Sequence, residues 1–210
     1  MQIMRIALAS CAGLLLAGVL SAQENSPFSF SIGAGFTEPV GATGRSLDTG
    51  WNVQATGGYR FIPYLGADLR FSYNDMGVNS TTLGNLGYPG GGMHIWSFTL
   101  DPVVHVSPHK PFDIYLTGGG GIYHQYQDFT APSAALVGGC SYFFGCYQTA
   151  VGVNEVLASY SVNKPGIDAG MGIAFGSRWH GKFFGEARYN RIFLGNYHTD
   201  YVPVTFGFRW

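Results

Sequence analysis

Residues 51 to 73 run Trp51-Asn-Val-Gln-Ala-Thr-Gly-Gly-Tyr-Arg-Phe61, then Ile62-Pro63-Tyr64, then Leu65-Gly-Ala-Asp-Leu-Arg-Phe-Ser-Tyr73. At period two the first segment sets Trp51, Val53, Ala55, Gly57, Tyr59 and Phe61 against Asn52, Gln54, Thr56, Gly58 and Arg60. After three residues the alternation resumes, with Leu65, Ala67, Leu69, Phe71 and Tyr73 against Gly66, Asp68, Arg70 and Ser72. A proline between two alternating runs predicts an antiparallel pair joined by a tight turn. One face of the pair is apolar and bulky. The other is small, polar and charged.

The same two-sided pattern recurs upstream and downstream, giving eight predicted strands. The first carries Phe28, Phe30, Ile32, Ala34 and Phe36 on its apolar face, the fourth Trp96 to Val104, the fifth Ile114, Leu116 and Ile122. The sixth alternates from Ile167 to Phe175, the seventh from Phe183 to Tyr189, and the last has Val202, Val204, Phe206, Phe208 and Trp210 in phase. No apolar face holds a charge. The opposite faces hold Arg60, Arg70, Arg188 and Arg209 against Asp68, Asp101, Asp168 and Glu186, four of each sign. A soluble sandwich buries its apolar face in a two-layer core. Here the polar face is lined by glycine, serine, threonine and balanced charge, which suits a narrow lumen. An apolar exterior around a polar interior is the pattern of a transmembrane barrel, where closure satisfies every backbone group in lipid. The fold class is therefore all-β, a closed antiparallel eight-stranded transmembrane barrel.

The connections alternate in length, as outer-membrane barrels do with short periplasmic turns and long external loops. Short ones are Ile62 to Tyr64, His105 to Phe112 and Gly176 to Lys182; long ones are Thr37 to Gly50, Asp75 to His94, Tyr123 to Pro165 and Arg191 to Tyr201. Tyr59, Phe61 and Tyr64 mark one rim, and Trp51, Tyr73 and Trp96 the other, as two aromatic girdles. No segment after residue 26 shows a helical period with caps.

Composition agrees. Charged residues make up 11% of 210, against about 25% in an average globular domain. An apolar fraction of 46% excludes a disordered chain, and 11 basic against 12 acidic residues gives no electrostatic footprint for nucleic acid. Leu8 to Leu20 is an apolar run after Arg5, ending at Leu20-Ser-Ala22 before polar Gln23. That is the form of a secretory signal, with cleavage expected after Ala22, so residues 1–22 are the leader and 23–210 the barrel domain. Leu8-Ala-Ser-Cys11 resembles a lipobox, but a lipobox should close the apolar region, and most of that region follows Cys11. Of the three cysteines only Cys140 and Cys146 remain after cleavage. In an exported chain that pair is expected as a disulfide, with free thiols or a metal site as the alternatives.

Gly58 to Phe71, Gly118 to Gly121, Phe184 to Tyr189 and Tyr201 to Trp210 together resemble the eight-stranded OmpA-type outer-membrane barrel family, over essentially the whole mature chain. The resemblance implies a bacterial outer-membrane location, contact with outer-membrane lipids, and recognition by the barrel-assembly machinery of a C-terminal strand ending in an aromatic. Here that signal is Val204, Phe206, Phe208 and Trp210, with tryptophan in place of the usual phenylalanine. Because the chain stops at the barrel, no peptidoglycan-binding domain is expected.

Chemistry is sparse. His105-Val-Ser107 resembles the His-x-Ser of outer-membrane lipid A deacylases, with Asp101 as the nearest acid, but it falls at a predicted turn away from the outer leaflet. The expected reading is a turn-flanking histidine. His94, His109, His124, His180 and His198 lie in or beside loops without metal spacing and are expected to be solvated. Gly90 to Gly92 and Gly118 to Gly121 lack the context of a phosphate cradle and suggest loop flexibility and wall curvature. No cofactor, metal or enzymatic activity is expected. The eight lumen charges read as a plug or as a gated ion path, and an eight-stranded barrel, barely wide enough for its own side chains, favours the plug. Function classes rank as a structural or interaction barrel, a small pore, a lipid hydrolase and a soluble lipocalin-like barrel. An external partner would meet the loops, with Leu136-Val137 and Tyr142-Phe143-Phe144 beside the cysteines as the candidate patch.

Overall fold

A computed structural model describes residues 27–108, 110–142, 145–177 and 181–210. The expected leader, including Cys11, lies outside them, as do His109, Phe143, Phe144, His180 and the side chains of Leu136 and Val137. Eight strands follow one another around a closed antiparallel barrel: β1 Phe28–Pro39, β2 Gly50–Ile62, β3 Leu65–Gly77, β4 Gly90–His105, β5 Phe112–Ser141, β6 Gly145–Ser177, β7 Gly181–Phe193 and β8 His198–Arg209. β1 closes on β8 from Ser31↔Arg209 to Pro39↔Tyr201, and the chain end is fastened by reciprocal backbone bonds of 2.9 Å between Phe30 and Trp210. Each strand exceeds the 9–11 residues that a tilted strand needs to cross the hydrocarbon.

The faces fall as alternation dictates. Ile32, Phe36, Trp51, Phe61, Phe98 and Leu116 stand exposed on the outer wall, while Ser31, Gln54, Thr56, Thr99 and Thr117 are buried in the lumen. At the loop end the outer wall carries ring contacts, Trp51 to Tyr73 at 5.3 Å and Tyr73 to Trp96 at 4.4 Å. Glycine sets the curvature where β4 and β5 meet: a Cβ on Gly119 would lie 2.1 Å from the Leu100 carbonyl oxygen, and one on Gly121 2.0 Å from that of Phe98.

Two connections differ from expectation. Tyr123 to Pro165 is mostly a β-ribbon: β5 and β6 pair from Phe112↔Phe175 to Ser141↔Gly145 with one register shift, between Phe129 and Thr130, whereas β4 leaves β5 at Thr130 and β7 leaves β6 at Gly166. Beyond those points the two strands continue alone. Gly90 to Gly92, expected as flexible loop, belongs to β4; all three pair with β5, and Gly92 also with β3. The stretch without expected helix contains α1, Ser80–Leu86, whose N-cap Asn79 accepts from the Thr82 amide and which ends at left-handed Gly87. The first two long connections are laced together by the Leu47↔Val78 bridge, by the Asp48 amide to the Gly77 carbonyl at 2.8 Å, and by the Asn79 side chain to the Arg45 carbonyl at 2.6 Å.

Candidate functional site

The lumen is built in layers. Nearest the loop end, Met76, Ile95, Tyr123, Ile192 and Tyr201 converge from five strands and are fully buried, with Leu47 and Val78 from the laced loops closing over them. An apolar cap thus sits inside a lumen that the alternation alone reads as polar. Below it comes a layer of neutral hydrogen bonds: Thr37 donates to Asn74 at 2.7 Å, Thr205 to Asn52 at 2.7 Å, and the Ser72 and Ser97 hydroxyls meet at 2.6 Å.

The charge cluster is next. Arg70 reaches Asp101 at 3.3 Å and Glu186 more closely, and its guanidinium also donates to Gln54 at 2.8 Å. Arg188 contacts three carboxylates, Asp101 at 2.8 Å, Glu186 at 3.3 Å, and Asp168 in the tightest contact of the three. Thr99 donates to Asp101 at 3.1 Å, and Tyr123 to Asp168 at 3.2 Å, tying the cluster to the cap. All five charged side chains are almost fully buried. A cavity of about 10 Å³ between the cluster and the neutral layer has room for one water.

Toward the turn end, Val103, Tyr115, Ala174 and Phe184 form a second apolar layer. The Arg209 guanidinium lies 4.8 Å from the Tyr115 ring centre and 5.7 Å from that of Phe184, and 3.6 Å from Asp68. Arg60, expected among the inward charges, keeps the phase of the lumen row of β2, pairing with Gly66, but stands exposed at the rim; the register shift falls after it, before Ile62. At the same end His105 Nδ1 is 2.6 Å from Asp113, and the other Asp113 oxygen accepts the Ser107 amide at 3.0 Å. The acid beside His105 is therefore Asp113, not Asp101, which is committed to the arginines. Asp113 stands at the start of β5, across the turn from His105, and only the β4–β5 register, which pairs His105 with Tyr115, brings it alongside.

On the outer wall at the loop end, His94 is half-buried rather than solvated. Its Nδ1 lies 2.9 Å from the Tyr73 hydroxyl and 3.5 Å from Asp75, and its Nε2 3.1 Å from Asp128. His124 pairs with Asn163 at 2.7 Å, and His198 with Asp200 at 3.2 Å. Among the described residues no group of histidine, cysteine and acid has the arrangement of a metal site. At the ribbon's tip Cys140 and Cys146, opposite each other in register, are joined by a disulfide. Phe206, Phe208 and Trp210 follow the outer wall of β8 and its end; Phe208 stacks on Trp210 with ring centres 6.0 Å apart, and Val204 stands half-buried above them.

The family model of the outer membrane protein beta-barrel domain matches residues 9–209. A search of curated proteins returned no match. Among solved structures, the chain is similar to Ail, the attachment invasion locus protein of Yersinia pestis, at 20% identity and a TM-score of 0.50, covering 89% of this chain and 100% of that one. Neisserial surface protein A is similar at 14% identity and 0.56, covering 88% and 96%. A major outer membrane protein of Thermus thermophilus is similar at 13% and 0.55, covering 87% and 97%.

Proposed function

The chain belongs to the outer membrane protein beta-barrel domain family and resides in the bacterial outer membrane, and from that premise we propose that it acts as a sealed anchor presenting the β5–β6 ribbon and the laced loops to external partners. The observation that supports this reading most is the division of labour along the barrel axis. Apolar cap, neutral layer, charge cluster and second apolar layer fill the lumen with side chains, whereas β5 and β6 continue beyond their last barrel partners up to the disulfide. Short turns then face the periplasm and the ribbon faces outward. Residues 1–22 act as the export signal, and Val204, Phe206, Phe208 and Trp210 offer the aromatic strand end to the assembly machinery.

No catalytic role is assigned to His105. Asp113 also holds the Ser107 amide, so the pair reads as a staple across the β4–β5 turn. One observation favours a second reading, a gated ion path: Arg188 has three carboxylates within reach and could change partners without leaving the cluster. The cap of Met76, Ile95 and Ile192 stands against it, because an apolar constriction excludes hydrated ions. The test is a cell-surface binding assay with the ribbon shortened by deleting residues 131–155. If the ribbon presents the binding surface, the variant folds into the membrane and loses adherence to host-derived or bacterial surfaces that the parent binds. Unchanged adherence by the shortened barrel would refute the assignment.

A further inference from the structure

The lumen cluster holds more acid than base. Arg70 and Arg188 meet Asp101, Asp168 and Glu186, two cations against three carboxylates, and all five side chains are more than nine-tenths buried. Adding the next pair toward the turn end, Arg209 with Asp68, makes three against four and leaves the same excess of one acid. Asp113 is engaged by His105 and the Ser107 amide, and Arg60 is exposed at the turn rim. Lys164, four residues from Asp168 on the same face of β6, is half-buried and joins none of these ion pairs. The other titratable groups turned inward here, Tyr115, Tyr123 and Tyr201, are phenols that add no positive charge. A charge buried without compensation is costly enough that the group takes up a counter-ion or a proton instead. A metal counter-ion does not suit the space: the cavity beside the cluster is lined by both arginines and by no carboxylate, whereas a hard cation needs several oxygen ligands.

The hydrogen bonds single out one acid. Glu186 Oε1 accepts from both arginines, and Asp101 Oδ2 accepts from both and from Thr99. Asp168 meets one arginine only, through Oδ1, and that contact falls on the same Arg188 Nη1 that serves Asp101. Two carboxylates converging on one nitrogen favour a single negative charge between them. Asp101 Oδ1 and Glu186 Oε2 are buried without a hydrogen-bond partner, so a proton on either would be donated to nothing. Asp168 Oδ2 is different. It lies 3.2 Å from the Tyr123 hydroxyl, which is also 3.2 Å from Asn190 Oδ1. Tyr123 has one proton for these two acceptors. If Asp168 were ionised, one of the two contacts would lack a hydrogen.

We infer that the cluster is a one-proton site and that Asp168 carries the proton on Oδ2, as a neutral carboxyl group donating to the Tyr123 hydroxyl, which in turn donates to Asn190 Oδ1. Asp101 and Glu186 then balance Arg70 and Arg188, and both contacts of Tyr123 become hydrogen bonds. The proton also makes the plug self-balancing: when either other acid is removed, Asp168 ionises against the arginine set free. The inference rests on the sealed lumen of the proposed reading, since a hydrated bore would let the third carboxylate stay charged. Failure of the seal would register as conductance, whereas the proton is read directly by infrared absorption.

Infrared spectroscopy of the folded protein in detergent at neutral pH tests it, comparing unlabelled protein with protein isotope-labelled at the aspartate carboxyl. The expected result is a protonated-carboxyl carbonyl band, of one group per chain, that shifts on aspartate labelling. Asp168→Asn, which keeps the shape of the side chain and removes the acid, should abolish the band and leave the urea midpoint unchanged. Glu186→Gln should abolish it too, because Asp168 ionises once the charges balance without its proton. Heat-shifted gel mobility confirms that each variant is folded. Absence of the band from the parent would overturn the site, since the cluster would then bear its full excess charge. A band that persists in Asp168→Asn would place the proton on another acid, and one that persists in Glu186→Gln would show that charge balance does not hold it there; either result overturns the assignment.

Discussion

Arg188 is the residue on which the lumen turns. It serves Asp101, Asp168 and Glu186 together, so removing it leaves three buried carboxylates sharing Arg70, whereas removing Glu186 leaves two arginines with two aspartates. An uncompensated buried charge costs about 3–5 kcal/mol. Arg188→Met should therefore lower stability to urea by that order, Glu186→Gln by clearly less, and Asp168→Asn in the Arg188→Met background should recover part of the loss. Equal losses from both single variants would show that the charges are solvated and independent. Alternation made the inward direction of these residues legible, but not their partners: the sequence sets eight charges on one face without pairing them, and only the barrel's register brings Asp101, Asp168 and Glu186 to the same guanidinium. Arg60 keeps its inward phase but stands exposed at the rim, since alternation gives a side chain's face and not its depth. The cap residues Met76, Ile95 and Ile192 escaped because an inward apolar side chain breaks the two-sided pattern that reveals the strand.

Elements were legible in proportion to how different their two environments are. Barrel walls, with lipid on one side and a polar lumen on the other, alternate strongly, and all eight appear at their observed places. The ribbon has solvent on both faces beyond Thr130 and Gly166, so Ala131 to Cys140 and Cys146 to Pro165 carry no contrast to read. The helix α1 is under two turns, too short to show a period, although Asn79 and Gly87 were its start and stop signals. Two outcomes belong at this scale. Asn79→Ala removes an N-cap worth about 1 kcal/mol and a tie to Arg45, so amide exchange should quicken over Ser80 to Leu86 while the global urea midpoint stays put; a shifted midpoint would make the loop lacing part of the barrel's cooperative unit. Cys140→Ser with Cys146→Ser should likewise raise exchange or proteolysis at the ribbon tip alone, because the bond closes a short loop far from the wall. Loss of barrel stability on reduction would contradict that separation.

At the scale of the whole molecule, the barrel's two ends differ in charge and in structure. The turn rim shows Arg60 and Lys110, while the loop end shows Glu38, Asp48 and Glu155 among its exposed residues and projects the ribbon. Closure through β1 and β8 leaves no sheet edge within the membrane, so the folded form should resist detergent until heated and migrate differently on a gel before and after boiling. Identical mobility would argue against a closed barrel. What most directly distinguishes a sealed anchor from a conduit is current through the lumen, because the cap, the neutral layer and the arginine-centred cluster are arranged in series. Planar-bilayer recording of the purified, folded protein should give no discrete conductance steps, and Met76→Gly with Ile95→Gly should remain closed because the charge cluster still fills the bore; regular single-channel openings from the unaltered protein would contradict the sealed lumen.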